Sequence, residues 1–255
     1  VMGLSLFSKS VAAETFQVAA AVTREQVQDL KQFGVDAVAQ VEAVLTNELT
    51  QSINQHILGS VRALGAANVA ATFGAATDFD IALPTAAALG GGETVASAHR
   101  AILTQVLAAA NLIANRGRRG AGNFAVVGPQ VATVLQSIAG FVAYPMANTI
   151  SQAAGAIYPL GSVAGINIYT DPTMGWGDYS VAVGRKGDGN GPGLVFMPYL
   201  MAESVQTIAE GTMAPKVAVK SRFALVEAGF HPETQYVKFN ITGTWAATGS
   251  LITLA

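Results

Sequence analysis

Thr23-Arg24-Glu25-Gln26-Val27-Gln28-Asp29-Leu30 opens the stretch on which the fold turns. Thr23 stands three residues before Gln26, the spacing of a capping box, in which the threonine hydroxyl caps the Gln26 amide and the glutamine reaches back. Val22 and Val27 occupy the two positions of a hydrophobic staple. Both signatures set a helix start at one residue. From there Val27, Leu30, Val38, Val41, Leu45, Leu49, Ile53 and Ile57 recur nearly always at steps of three or four. Gln28, Gln40, Asn47, Gln51 and Gln55 fill the opposite side, so the helix is amphipathic. Gly34 interrupts it and Asp36 can recap its second part, which predicts a kink over Phe33–Asp36. Thr23 to Leu58 would reach roughly 54 Å at 1.5 Å per residue. That is longer than a compact domain of 255 residues needs. The element is a spine.

On the N-terminal side, Leu4, Leu6, Val11, Phe16, Val18 and Val22 alternate loosely and predict one or two extended segments over residues 4–22. On the C-terminal side, residues 65–92 are rich in Ala, Gly and Thr with few periodic cues, and irregular structure is expected. A second helix is predicted from Thr94 to Ala114, with Ile102, Val106, Ala109 and Ile113 on one face, ended by Arg116-Gly117-Arg118-Arg119-Gly120-Ala121-Gly122. A strand over Asn123–Val127 follows. Gly128-Pro129 then opens a third helix to about Ile138, with Gly140 as its terminator. The last third changes period. Ile166–Thr170, Tyr179–Val183, Leu194–Pro198, Lys216–Leu225 and Tyr236–Thr242 read as strands, with Lys186–Gly193 a flexible hairpin loop. Helices first and a sheet after them make an α+β architecture.

Only 12% of the residues are charged and 51% are hydrophobic, against about 25% charge in an ordinary soluble domain. A compact monomer of this mass would expose roughly 10,500 Å², leaving one charged residue per roughly 350 Å². Such a surface is sticky, and much of it is expected to meet other protein. The net charge of −2 argues against a dedicated nucleic-acid binder, and the hydrophobicity argues against disorder. No window is long and apolar enough for a membrane-crossing helix, and no membrane partner is expected. The opening Val1-Met2-Gly3-Leu4-Ser5-Leu6-Phe7 lacks the cationic start and cleavage site of a signal peptide. Cysteine is absent, so disulfides, thiolate metal sites and cysteine nucleophiles are excluded.

A search for chemistry returns little. His56, His99 and His231 have no ligand-like spacing, and no Gly-x-Ser-x-Gly elbow occurs. Asp78 and Asp80 could share a strand face around a metal, but a lone carboxylate pair is more often a solvated loop. Asp188-Gly189-Asn190 lacks the third acid and distal glutamate of a calcium loop. Gly117–Gly122 follows a helix and precedes a strand, the reverse of a phosphate cradle. No catalytic residue, cofactor or metal is therefore expected. The charge pattern says more. Residues 94–170 contain no acid yet hold Arg100, Arg116, Arg118 and Arg119, whereas residues 1–60 carry three cations against six acids. Opposite charge on separate regions suits head-to-tail contact between copies. Arg116, Arg118 and Arg119 with Glu25, Asp29 and Asp36 are the inter-subunit candidates. A solvated arginine loop fits equally well, and DNA contact through it rests on a thinner basis.

Eight stretches, in order, resemble the major capsid (head) protein family of T4-like tailed phages. They are Met2-Gly3-Leu4-Ser5, Thr23–Leu30, Gly34-Val35-Asp36-Ala37, Leu45-Thr46-Asn47-Glu48-Leu49 with Ile53-Asn54, Arg119–Val127, Ile168-Tyr169-Thr170-Asp171-Pro172, Gly193–Tyr199 and Pro215–Phe223. The resemblance implies the HK97-type capsid fold, with a long spine helix, a peripheral domain and an axial domain. Its expected division is 1–22 as the returning strand of an extended loop, 23–115 as the peripheral domain with the spine, 116–212 as the axial domain, and 213–255 as the return to the peripheral sheet and tail. The chain is shorter than typical members, and the resemblance assigns no counterpart to residues 142–160 and 243–255.

The function so implied is a major capsid protein, a structural subunit and not an enzyme, which self-assembles through hexameric capsomers, with pentameric ones as a further candidate, into the icosahedral shell of the virion. Decoration, vertex or portal proteins are partner candidates, and packaged DNA is met only non-specifically. The alternatives are a pentameric vertex protein or encapsulin-like nanocompartment shell of the same fold, and, from another class, a small hydrolase or binding domain. The family also implies an arm and outgoing strand ahead of Met2–Val22. On that basis the chain is expected to be the downstream part of a longer product, with residues 4–16 making few contacts with residues 60–255.

Overall fold

The helix start at Thr23 is where the capping box places it. In the computed structural model, which describes residues 8–83, 95–144, 156–187, 191, 193–210 and 213–242, Thr23 is extended and its hydroxyl accepts from the Gln26 amide at 3.3 Å. Helix α1 (Arg24–Gln32) stops at Gly34, whose φ of +73° turns the chain so that the Val35 amide donates back to the Leu30 carbonyl. Asp36 then accepts from the Val38 and Ala39 amides at 3.0 and 3.4 Å and starts α2. The predicted interruption is present, but it is a full break: the spine expected from Thr23 divides into α1 and a separate α2. Helix α2 (Ala37–Phe73) is 37 residues long and runs well past Leu58. Residues 65–73, expected to be irregular, are its last turns, because alanine is the best helix former and needs no periodic pattern to stay helical.

The chain divides into two compact units, Val1–Ile53 with Leu194–Glu227, and Asn54–Gly193 with Ala228–Ala255. In the first, β1 (Glu14–Ala21), β9 (Pro215–Glu227) and β8 (Leu194–Ile208) form a sheet in the order β1-β9-β8, all antiparallel. Leu45 and Leu49 of α2 close a buried cluster with Val217 and Val219, bordered by Phe16, Val18, Val38 and Val41. Phe223 is sandwiched between Phe16 and Phe196, each ring 5.0 Å away. The expectation that residues 4–16 touch little beyond residue 60 is not met among the described residues. Strand β1 pairs with β9 from Glu14↔Phe223 to Ala21↔Lys216, and Lys9 reaches Glu227 at 3.4 Å. Strand β8 also runs ten residues beyond the predicted end at Pro198. Proline ends a central strand but is tolerated on an edge, where its missing N–H interrupts no ladder, and β8 is such an edge.

The second unit holds a seven-stranded mixed sheet. It is formed by β2 (Ile81–Ala82), β3 (Phe124–Val127), β4 (Val142–Ala143), β5 (Tyr158–Val163), β6 (Ile166–Thr170), β7 (Ser180–Gly184) and β10 (Tyr236–Thr242), in the order β2-β10-β7-β3-β6-β5-β4. Helices α3 (Val95–Gly117) and α4 (Pro129–Gln136) pack on it through Ile102, Val106, Ile113, Val131 and Leu135, joined by Val69 of α2. Every residue of β7 is buried, as a central strand covered on both faces requires. Residues 186–193 are not a hairpin loop, because β7 and β8 belong to different sheets. The α+β class holds, and strand β4 with the start of β5 falls in the stretch 142–160.

Candidate assembly surfaces

Helix α1 is capped at both ends yet contains no buried residue. Val27, half-buried, lies between two grooves. One, of about 440 Å³, is lined by Arg24, Val27, Ile208, Met213 and Pro215. The other, of about 300 Å³, is lined by Val27, Lys31 and Gly34–Ala37. Phe33, at the helix end, is 81% exposed. Nine residues are fewer than an isolated helix needs in water, and such a helix holds its shape through what packs on it. Strand β8 is the second uncovered element. From Phe196 to Ile208 only Leu200 is even half-buried, with Met201 at 75% and Ile208 at 73% exposure. Pro198 and two register shifts, between Pro198 and Leu200 and between Leu200 and Glu203, roughen the first half of its edge. The stretch Glu203–Ile208 pairs regularly with β9 and has neither proline nor shift.

The arginine-rich turn after α3 separates into three different environments. Arg116 is committed inside its own unit. Its Nη1 donates to the Asn68 carbonyl, the Asn68 Oδ1 and the Thr72 hydroxyl at 2.8, 2.7 and 2.7 Å. Arg118 is exposed and held at φ +50°. Arg119, also exposed, borders a cleft of about 230 Å³ with Gly117, Phe230, Thr234 and Gln235. On the acidic side, Asp36 is spent on the α2 cap, while Glu25 and Asp29 form no ion pair or hydrogen bond among the described residues.

The other candidate chemistries have local explanations. Asp78 caps a turn through the Ala75 amide at 3.0 Å, and Asp80 accepts from the Asn240 amide and side chain at 2.7 and 3.2 Å. His231 pairs with Glu233 at 2.9 Å. Gly122 serves close packing, since a Cβ there would stand 3.1 Å from Ile113 and Val183. The Asp188–Asn190 turn lies outside the described residues. Among the described residues no three His, Cys, Asp or Glu side chains gather as metal ligands would. The exposed length of β8 has no sequence signal beyond the low overall charge, because Pro198 masks its continuation.

Residues 1–249 match the family described as Major capsid protein Gp23. The major capsid protein of Serratia phage KSP90 is 30% identical over 119 residues, 44% of this chain. That of Vibrio phage KVP40 is 30% identical over 138 residues, 52% of this chain. Each matched stretch spans 26% of the relative's length. A chain from Microbacterium phage Oxtober96 superposes with a TM-score of 0.54 at 12% identity, covering 92% of this chain and 73% of that one. The capsid structure of the cyanophage P-SCSP1u gives 0.52 at 12% identity, covering 96% and 79%. At such identities the likeness speaks for fold alone, and that fold is the HK97-type phage capsid fold. With its sequence matched nearly end to end, this chain belongs to the Gp23 major capsid protein family.

Proposed function

We propose that this chain is a shell-building subunit of a phage head, assembling with many copies of itself into the icosahedral capsid of the virion around packaged DNA. Its role is structural, and capsomers are its working form. The observation that carries this reading is the uncovered apolar surface of the first unit. A fifteen-residue β8 with no buried residue, bearing the exposed Met201 and Ile208, together with the exposed Phe33 at the end of α1, is costly in a free monomer and ordinary in a subunit whose neighbours cover it.

Negative-stain electron microscopy of the purified protein tests the proposal. Closed shells of icosahedral symmetry are the expected result. Pentamers alone would mean a vertex protein, and a monomer that stays monomeric at high concentration would overturn the shell reading.

A further inference from the structure

Building on the shell reading, we propose that the stripe Glu25–Asp29–Phe33 on α1 of one copy seats on the corner Arg118–Arg119–Phe230 of a second copy. The three stripe residues are spaced by four, so they share one side of α1, and all are exposed. Glu25 and Asp29 repel each other at that spacing. Neither has a counter-ion among the described residues. Phe33 extends the stripe with an exposed ring. Two acids and an aromatic wait for a partner.

The corner on the second unit is the complement. Arg118 follows the last residue of α3 in a left-handed conformation that favours glycine. Its side chain makes no hydrogen bond or ion pair among the described residues, although its amide closes the helix onto the Ala114 carbonyl at 3.0 Å. Keeping arginine at a position that favours glycine points to a use for the guanidinium. Phe230, 74% exposed, lines the cleft beside Arg119. Glu233, in the turn that follows Phe230, is engaged by His231.

A second copy is the occupant that the charges select. The unit containing α1 carries six cations and nine acids, net −3, and the other unit carries eight and seven, net +1. One chain thus holds both halves of an unlike contact, the kind that repeats head to tail and closes rings.

The chain has no cysteine, so Gln32→Cys beside the stripe and Ala121→Cys beside the corner, both at exposed positions, introduce two thiols while keeping every charge of the pair. A short bismaleimide is expected to give a ladder of covalent multimers from this double variant and none from either single one. In parallel, Arg118→Glu and Asp29→Arg are each expected to lower the assembled fraction roughly ten-fold, and their combination to restore it. No ladder, or a combined variant no better than the single ones, overturns the pairing. Arg118→Glu particles that assemble normally but lose bound DNA overturn it as well, in favour of a phosphate contact. A ladder without closed shells upholds the pairing and removes the shell reading, whereas shells without a ladder do the reverse.

Discussion

Gly65 of α2 lies directly on the backbone of Lys238 in β10: a Cβ on Gly65 would stand 2.7 Å from the Lys238 amide nitrogen and 2.8 Å from the Val237 carbonyl carbon. Glycine inside a helix costs about 1 kcal/mol relative to alanine, and here that cost allows helix and strand backbones to touch. Neighbouring Asn68 uses the approach to donate to the Tyr236 carbonyl at 2.7 Å. Gly65→Ala is therefore expected to destabilise the subunit by roughly 2 kcal/mol or more, since backbone cannot yield as a side chain does. Thermal unfolding of the unassembled subunit measures it.

Gly59, six residues earlier in the same helix, is exposed and would present a Cβ to open space. Gly59→Ala is expected to stabilise the subunit by about 0.5–1 kcal/mol through helix propensity alone. Opposite signs for one substitution at two sites of one helix are the outcome to look for. Equal signs would mean that the packing of α2 on β10 is wrong.

These two glycines also show where sequence reading stops. The bounds of α1 are legible because Thr23, Gln26 and Gly34 act locally, through bonds to residues three or four positions away. Strands β6 and β10 are legible for the same reason, being bounded by their own turn residues. The end of α2 is not, because Gly65 is tolerated only for the sake of Val237 and Lys238, far along the chain. Pro198 misleads in a related way, since its effect depends on β8 lying at a sheet edge. Among the site residues, the charges of Arg116, Arg118 and Arg119 look alike in sequence. Only the structure shows that Arg116 is occupied by Asn68 and Thr72.

The β5–β6 hairpin turns on two residues, Ala164 and Gly165, with φ of +49° and +83°. Positive φ at both central positions is the signature of a type I′ turn, which asparagine or glycine enters far more readily than alanine. Ala164 is exposed, so nothing packs on its methyl group tightly enough to offset the strain. Ala164→Asn is expected to raise stability by roughly 0.5–1 kcal/mol. An unchanged or lower melting temperature would remove the turn assignment.

Arg62 and Asp171 form an ion pair at 3.4 Å in which the aspartate is fully buried and the arginine mostly so. Asp171 also accepts from the Thr173 amide and hydroxyl at 3.0 and 2.5 Å. Removing the guanidinium leaves a buried carboxylate short of its counter-charge, so Arg62→Met is expected to cost roughly 3 kcal/mol. Asp171→Asn in the same chain keeps an acceptor for Thr173 while deleting the charge. The double variant should therefore cost less than the two single changes added together. Denaturant unfolding of the four proteins completes the cycle, and strict additivity would show that the pair does not couple.

Met201 and Ile208 separate folding from assembly. Both lie on β8 and both are at least 73% exposed, so neither contributes much to the core of its own subunit. Surface substitutions of this kind usually change stability by no more than about 0.5 kcal/mol each. If neighbouring subunits cover β8, however, each side chain gives up on the order of 1–2 kcal/mol of apolar burial when replaced by serine, and the loss recurs in every copy. Met201→Ser with Ile208→Ser is accordingly expected to leave the melting temperature of the unassembled subunit nearly unchanged while raising the concentration needed for particles several-fold. Light scattering against protein concentration reads that threshold. A double variant that assembles at the parent concentration would place β8 on an open surface of the shell, away from any subunit contact.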